Sequence, residues 1–375
     1  MIKVLEVSAS LFYGGTEKFI FNNLKELEKE NMFSFSILVL GNYEEKLKMQ
    51  LEESGIKVFL KDKIQFENSL HLLKELTNFF KEEKFDIVHT HINYANSYIS
   101  KAAKNAKIPL VISHAHSIVK SNNNFLKKIY KNIQRNIIVK NSDVLLATSY
   151  ETGIINYGES TFRKKGKVIR NGVVLSDFSK INNSKKGEAL KKEYNLSDEI
   201  IITNISRFDN NKNIEKTILV FKEFLKIYPN SVLVLGGKDG GTLDVCIKLV
   251  HDLNIENKVK FVGETEYVPQ WLAVTDVFLF TSKTEGFSYS VLEAQLANCK
   301  VLASSCIPKD SNLDLGLVDY EDLEATNAEW AKDLTELYER KCNVLDKDIY
   351  NAITYRKLSI SETSKELEEL YLSVL

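Results

Sequence analysis

DVFLFTSKTEGFSYSVLEAQLANCKVLAS, residues 276–304, carries the pattern from which the fold can be read. An apolar run ends at Phe280, a polar loop holds Glu285-Gly286-Phe287-Ser288, a helical stretch begins near Tyr289, and a second apolar run, KVLASS, starts at Lys300. Strand, loop, helix and strand in that order form the repeating unit of a parallel sheet, whose strands need a crossover in order to run the same way. The start of a helix leaves backbone N–H groups without intrahelical partners and carries the positive end of the helix dipole. The amides of Ser288, Tyr289 and Ser290 are therefore placed to hold an anionic phosphate. Gly286 lets a ligand approach the backbone closely. Glu285 and Glu293, one before and one inside the helix, can accept hydrogen bonds from hydroxyls at either end of a sugar nucleotide. Taken alone, they read equally as a capping acid and a solvated helix acid.

The same alternation extends in both directions. Upstream of the quoted stretch come IIITNISRF, a helix after Asn213, SVLVLGG and VKFVGE; in the first half come IKVLEVS, a helix from Thr16 to about Glu30, FSILVL, a helix near Lys46, DIVHTH, PLVISHAH and DVLLATS. These predict an α/β protein of two doubly wound, Rossmann-like domains, as the length of 375 residues also favours. The expected division is 1–175, a polar linker over 176–198, 199–355, and a C-terminal helix over 356–375 that returns to the first domain. That helix is capped by Ser361 or Thr363 and carries Leu367, Leu370 and Tyr371 at helical spacing. In doubly wound folds ligands bind at the carboxyl ends of the strands, so the expected site is an interdomain cleft.

With 44% hydrophobic and 27% charged residues the chain is neither disordered nor fibrous. Its net charge of −1 argues against nucleic acid as a partner. The four cysteines show neither a disulfide framework nor a zinc-ribbon spacing. Without a signal-like start or an apolar run of membrane-spanning length, a cytoplasmic location is expected. Charge is nevertheless uneven: residues 101–175 hold fourteen Lys or Arg against three acids, Asp143, Glu151 and Glu159. Within that region Phe125, Ile129, Ile133 and Ile137 fall on one helical face, and Lys127, Lys128, Lys131 and Arg135 on the opposite one. The periodicity predicts an apolar face in the core. The cationic face is either simply solvated or turned to an anionic membrane surface, where each cation adds about 1 kcal/mol.

Taken in order from Gly14 to Glu293, these motifs resemble the retaining glycosyltransferases of family 4, which have the GT-B fold. The resemblance implies that Glu285 contacts the transferred sugar, that Glu293 holds the ribose, and that Phe287, Ser288, Tyr289 and Ser290 contact sugar and diphosphate. Ser288 stands where the family commonly has Pro or Gly, which leaves the donor sugar open. In SRFDNNKNIE, Arg207 and Lys212 match the pair that neutralises the leaving diphosphate. LGGKDGG, with Gly237, resembles the glycine-rich turn after the next strand, and Tyr267-Val268 matches the loop that reads the nucleobase. Gly14-Gly15 in SLFYGGTEK resembles the glycine loop that closes over the donor phosphates. DIVHTHINYANSYISKAAKNAKIPLVISHAHS is similar to a narrower set, the transferases of bacterial capsule and exopolysaccharide assembly. There His116 is implied beside the donor sugar and acceptor and Ser117 near the phosphates, while His89, His91 and His114 are expected to line the acceptor side.

The expected activity is therefore metal-independent, retaining transfer of a hexosyl group, with no cofactor. It runs from a nucleotide sugar, UDP-linked by expectation, to a saccharide or lipid-linked saccharide acceptor of surface polysaccharide. The enzyme is expected to be peripheral at the inner face of the cell membrane. The alternatives are a GT-B sugar-nucleotide epimerase and a non-catalytic saccharide-binding partner of another transferase. Four clustered histidines raise the question of zinc, but no Cys or carboxylate completes a set in the sequence. Asp346-Lys347-Asp348 spells a DxD and reads as a solvated loop.

Overall fold

The computed structural model describes residues 1–12, 14–61, 69–117 and 125–374, with the side chains of 30, 69, 70, 125–127 and 180–182 outside the description. The chain divides into two units, the first comprising residues 1–173 with 357–375 and the second residues 174–356.

In the first unit β1 (Ile2–Ser8), α1 (Gly15–Leu27), β2 (Phe33–Leu40), α2 (Glu45–Glu53), β3 (Lys57–Lys61), α3 (Ser69–Glu83), β4 (Ile87–Thr90), α4 (Asn96–Asn105) and β5 (Leu110–Ala115) alternate strictly. They are followed by α5 (Phe125–Asn141), β6 (Val144–Ala147), α6 (Tyr150–Tyr157), α7 (Glu159–Lys165) and β7 (Gly166–Val168). The second unit runs α8 (Lys180–Glu193), β8 (Ile200–Ile205), α9 (Ile214–Ile227), β9 (Ser231–Gly236), α10 (Leu243–Asp252), β10 (Val259–Gly263), α11 (Val268–Val274), β11 (Val277–Phe280), α12 (Tyr289–Leu296), β12 (Lys300–Ser304), β13 (Val318–Glu321), α13 (Asn327–Glu339) and α14 (Asp346–Tyr355). The last helix, α15 (Ile360–Leu372), belongs to the first unit.

Both sheets are parallel throughout, in the orders β3-β2-β1-β4-β5-β6-β7 and β10-β9-β8-β11-β12-β13. Each order reverses direction once, between β1 and β4 and between β8 and β11. Loops leaving neighbouring strands there diverge to opposite faces and open a crevice at the strand ends. The central strands are buried on both faces, which explains why they read as unbroken apolar runs. The short edge strands β3, β7 and β13 carry no such run and escaped the sequence reading.

Four expectations need correction. Residues 176–198 are not a loose linker: most of them form α8, which packs on α11 inside the second unit. The DxD residues lie in the first turn of α14, where Asp348 accepts the Leu345 backbone N–H at 3.0 Å. The cap of α15 is Ser359, whose hydroxyl accepts the Glu362 N–H at 3.3 Å, not Ser361 or Thr363. The orientation of α5 is also reversed. Ile129 and Ile133 are 41% and 51% exposed, while Gln134 and Ile138 are buried and Gln134 accepts a hydrogen bond from Ser97. Lys131 lies 5.5 Å from the Tyr94 ring and Arg135 approaches Gly158, so these two cations pack against the unit; Lys128 is exposed, and the Lys127 side chain lies outside the described residues. The helical period holds, but the face that meets the core carries Gln134 and Ile138 rather than Ile129 and Ile133.

Candidate active site

At the reversal point of the second sheet, the loop after β8 meets the loop after β11. Arg207 leaves the strand and is held by Asp209, at 2.6 Å through Nε and 2.5 Å through its terminal nitrogen. Asp209 also accepts the backbone N–H groups of Asn211 (2.9 Å) and Lys212 (3.0 Å), folding the segment into a turn. Burial pushes the Asp209 carboxyl up, but these hydrogen bonds and Arg207 outweigh it and hold its pKa below the usual value.

Lys212 then reaches Glu285 with 2.7 Å between Nζ and Oε1, and Ser282 donates to the same oxygen at 2.6 Å. The geometry does not depend on the ion pair alone. Asn211 accepts the Lys283 N–H at 2.8 Å and donates its side-chain amide to the Thr284 carbonyl at 2.8 Å, and Asn213 donates to the Thr281 carbonyl at 3.2 Å. The two loops are therefore stitched along their backbones, and the cation and carboxylate are fixed by that seam.

Ser288 caps α12, accepting the Val291 N–H at 3.4 Å, which leaves the Tyr289 and Ser290 amides at the free end of the helix. Phe287 packs edge-on to Tyr289, with ring centroids 5.9 Å apart. The Tyr289 hydroxyl is buried with no hydrogen-bond partner among the described residues, and its pKa is raised by burial and by Glu293. Glu293 is itself buried on α12. Gly237 is a position that only glycine fits: its φ is +138°, and a Cβ there would stand 2.0 Å from the Ser206 carbonyl oxygen. Tyr267 is half exposed ahead of α11, its N–H bonded to Thr265 at 3.0 Å. Arg207, Lys212, Gly237, Glu285, Gly286 and the start of α12 thus gather around the carboxyl ends of β8, β9 and β11.

In the first unit Gly14 caps α1 and Gly15 begins it, with Glu17 beside them accepting hydrogen bonds from Ser10 (2.9 Å) and Ser8 (3.4 Å). Ser117 follows β5, its carbonyl bound by Asn156 at 3.0 Å. His89 and His114 sit inside β4 and β5 and are fully buried, and His91 is nearly so, so the three rings stand beneath the surface of the unit rather than on it. Positions two apart on neighbouring strands share a face, and that face is covered by Phe19 of α1 and Tyr371 of α15.

Glu6 of β1 and Tyr371 of α15 complete this cluster. Glu6, buried in β1, accepts from His91 Nε2 at 2.6 Å and from the Tyr371 hydroxyl at 2.8 Å. His89 Nδ1 lies 2.7 Å from the Tyr371 hydroxyl, His89 Nε2 lies 3.2 Å from His114 Nδ1, and His91 Nδ1 lies 2.7 Å from His116 Nε2. A carboxylate inside the apolar strand IKVLEVS was the available signal for Glu6. His89, His91 and His114 can bring ring nitrogens within 4.8 Å of one another, the one such trio among the described residues. Both nitrogens of His91 and of His89 are within hydrogen-bonding distance of partners, while His114 Nε2 and His116 Nδ1 are buried with no hydrogen-bond partner among the described residues.

Two doubly wound parallel sheets, each with polar residues collected at its strand ends, are the architecture of the GT-B glycosyltransferases. The chain belongs to glycosyltransferase family 4: the Glycosyltransferase Family 4 model matches residues 13–177 and the model for glycosyl transferases group 1 matches residues 186–309, together more than half of the chain. It is 26% identical to the capsular polysaccharide biosynthesis glycosyltransferase CapH of Staphylococcus aureus, over 100% of this chain and 99% of that protein. It is likewise 26% identical to the UDP-Gal:alpha-D-GlcNAc-diphosphoundecaprenol alpha-1,3-galactosyltransferase of Escherichia coli, over 81% and 79% of the two chains. Among solved structures it is similar to Anabaena HepE in complex with UDP-glucose, with a TM-score of 0.81, 18% identity and both chains covered completely.

Proposed function

We propose that the chain is a retaining, metal-independent glycosyltransferase that moves a sugar from a UDP-sugar to a lipid-linked saccharide of surface-polysaccharide synthesis. The observation that carries this reading is the pairing of Lys212 with Glu285 beside Arg207 and the start of α12. Two cations and free helix amides form a set for a diphosphate, and a carboxylate adjoins it for a sugar hydroxyl. The UDP in the E. coli relative's name and in the HepE complex supports the nucleotide, and the diphosphoundecaprenol acceptor of the former supports a lipid-linked acceptor.

In this reading the diphosphate leaves against Arg207, Lys212 and the α12 amides, and one of its oxygens takes the acceptor hydroxyl proton on the same face. These cations stabilise the charge that a divalent metal stabilises in other transferases. An epimerase would share the fold, and a non-catalytic partner would have no need of the phosphate cations.

The exposed Ile129 and Ile133 of α5, flanked by Lys128, support contact with an anionic membrane surface, through apolar insertion as well as charge. No helix among the described residues is long and apolar enough to cross a membrane.

The test begins with a panel of UDP-sugars in a thermal-shift screen, because a ligand at 100 times its Kd stabilises by about 2.7 kcal/mol. Proton NMR of the first product formed from the binding donor then reads the anomeric coupling. An α-product from an α-linked donor is expected; an initial β-product refutes retention, and donor conversion without acceptor favours the epimerase.

A further inference from the structure

The hydrogen bonds around Glu6 have only one consistent direction. A carboxylate can only accept, so Oε2 takes the proton of His91 Nε2 and Oε1 takes the proton of the Tyr371 hydroxyl. With its proton spent, the Tyr371 oxygen accepts from His89 Nδ1. A neutral His91 protonated at Nε2 has its lone pair on Nδ1, and that lone pair, 2.7 Å away, takes the Nε2 proton of His116. His116 is then left with one unspent atom, Nδ1, as the branch through His89 leaves His114 Nε2; both are buried and have no hydrogen-bond partner among the described residues. Native proteins leave few buried acceptors unpaired, since each costs about 1–3 kcal/mol.

We propose that Glu6 is a positioning residue which, through His91, fixes His116 as the neutral Nε2–H tautomer and so reserves His116 Nδ1 as an acceptor for a saccharide hydroxyl. The inference rests on the reading that His116 serves substrate. The charge states agree with it. Burial pushes the Glu6 carboxyl up, but His89 and His91 outweigh this and hold it well below the usual carboxylate range. Burial lowers His91 to about 4, and burial and His91 hold His116 well below its ordinary value. The chain is anionic at Glu6 and neutral at its far end, so each bond polarises the next and Nδ1 becomes a stronger acceptor without carrying charge. Phe19 presses on His114 and His116 at centroid distances of 4.9 and 5.0 Å, which restricts rotation of the rings.

The tautomers can be read directly from long-range ¹H–¹⁵N spectra of the full chain labelled at histidine, with signals assigned by single His→Gln variants. His91 and His116 are expected to show protonated Nε2 and unprotonated Nδ1; a proton on His116 Nδ1 overturns the proposal. Glu6→Gln supplies one acceptor where Glu supplies two, so one branch must reverse, at His91 and His116 or at Tyr371 and His89. Unchanged proton positions on all four rings overturn the proposal, as does a stoichiometric metal on the purified protein that is bound by these nitrogens.

Activity provides a separate arm, measured with whichever of UDP-glucose, UDP-galactose and UDP-N-acetylglucosamine is turned over. Where Glu6→Gln reverses the His116 branch, it is expected to lower kcat/KM by about 10–100-fold, as loss of an outer orienting partner does. Wild-type kcat/KM with the reversed tautomer overturns the proposal. Whether the KM for donor or for acceptor rises tells which saccharide brings the hydroxyl. If His116→Ala changes neither KM nor kcat, the reading of His116 as a substrate residue fails, while the tautomer spectra still report on Glu6.

Discussion

Replacing Lys212 by Ala should separate stability from catalysis in a way that the geometry of the pair makes quantitative. Nζ stands 2.7 Å from Glu285 Oε1, and the two side chains are 19% and 14% exposed. At an effective dielectric of about 20 the attraction is about 6 kcal/mol before desolvation is subtracted. Ser282 still donates to Glu285 after the substitution, so a net loss of about 2 kcal/mol is expected. For a unit of this size that corresponds to a fall in Tm of about 4–8 °C. Turnover should fall further than stability implies, on the order of 10²-fold or more. The charge that Lys212 meets grows as the diphosphate departs, and Glu285 is left unneutralised beside it. The double variant Lys212→Ala with Glu285→Gln removes the stranded carboxylate and should restore most of the Tm without restoring turnover. Differential scanning calorimetry and a UDP-release assay on the donor found by the panel read the two quantities. Turnover within a few-fold of wild type in Lys212→Ala refutes the phosphate role, and a Tm that Glu285→Gln fails to recover refutes the ion pair as the source of the stability loss.

Three further outcomes are expected. Chelator should leave transfer activity intact, because Arg207, Lys212 and the α12 amides supply the positive charge; strict dependence on added Mg²⁺ or Mn²⁺ would overturn this. Ile129→Ser with Ile133→Ser should weaken binding to anionic vesicles about tenfold or more, since each side chain forfeits apolar burial, and leave activity on a short soluble acceptor near wild type. Equal vesicle binding in a sedimentation assay would return α5 to a merely solvated helix. The first unit should lose stability as pH falls from about 6.5 towards 4. His91 titrates near 6.5 when unfolded and about 4 when folded, so the unfolded chain binds more protons in that window and stability is full above it. His91 alone contributes on the order of 2 kcal/mol to this loss at pH 4.5. Urea titrations at pH 5 and 7.5 check the sign, and equal stability would show that the ring is not held neutral.

Most of the architecture was legible because a parallel strand buried on both faces has to be apolar along its whole length, as VFLF and VLVLG are. The helix start after Phe280 was legible for a similar reason: Gly286 and Ser288 are residues that turns and caps require. What could not be read was which surface covers which. Ile129 and Ile133 repeat at the correct helical spacing, but spacing fixes a stripe and not its direction. The core side of α5 is chosen by Ser97, which satisfies Gln134, and by Tyr94, which receives Lys131. The family resemblance places His89 and His114 on the acceptor side but carries nothing about what covers them. They are covered by Phe19 and by Tyr371, and the latter is separated from His89 by 282 positions in sequence. A contact of that span leaves no local pattern. The Lys212–Glu285 pair is also long-range, and its members were found only through the motifs on either side.

The membership of α15 in the first unit has a consequence for how the protein is made. The second unit is continuous in sequence, over residues 174–356, so it can fold as soon as it has left the ribosome. The first unit is begun earlier but lacks Tyr371, Leu367 and Leu370 until residues 357–375 emerge, and those three side chains are part of its core. At about 5–20 residues per second, the interval between the end of β7 and the appearance of α15 is on the order of ten seconds or more. Throughout that interval the helix that packs on α1 and the hydroxyl partner of Glu6 are missing, and the apolar surface that α15 will cover is open to chaperones or to other nascent chains. The half translated first is therefore the half completed last.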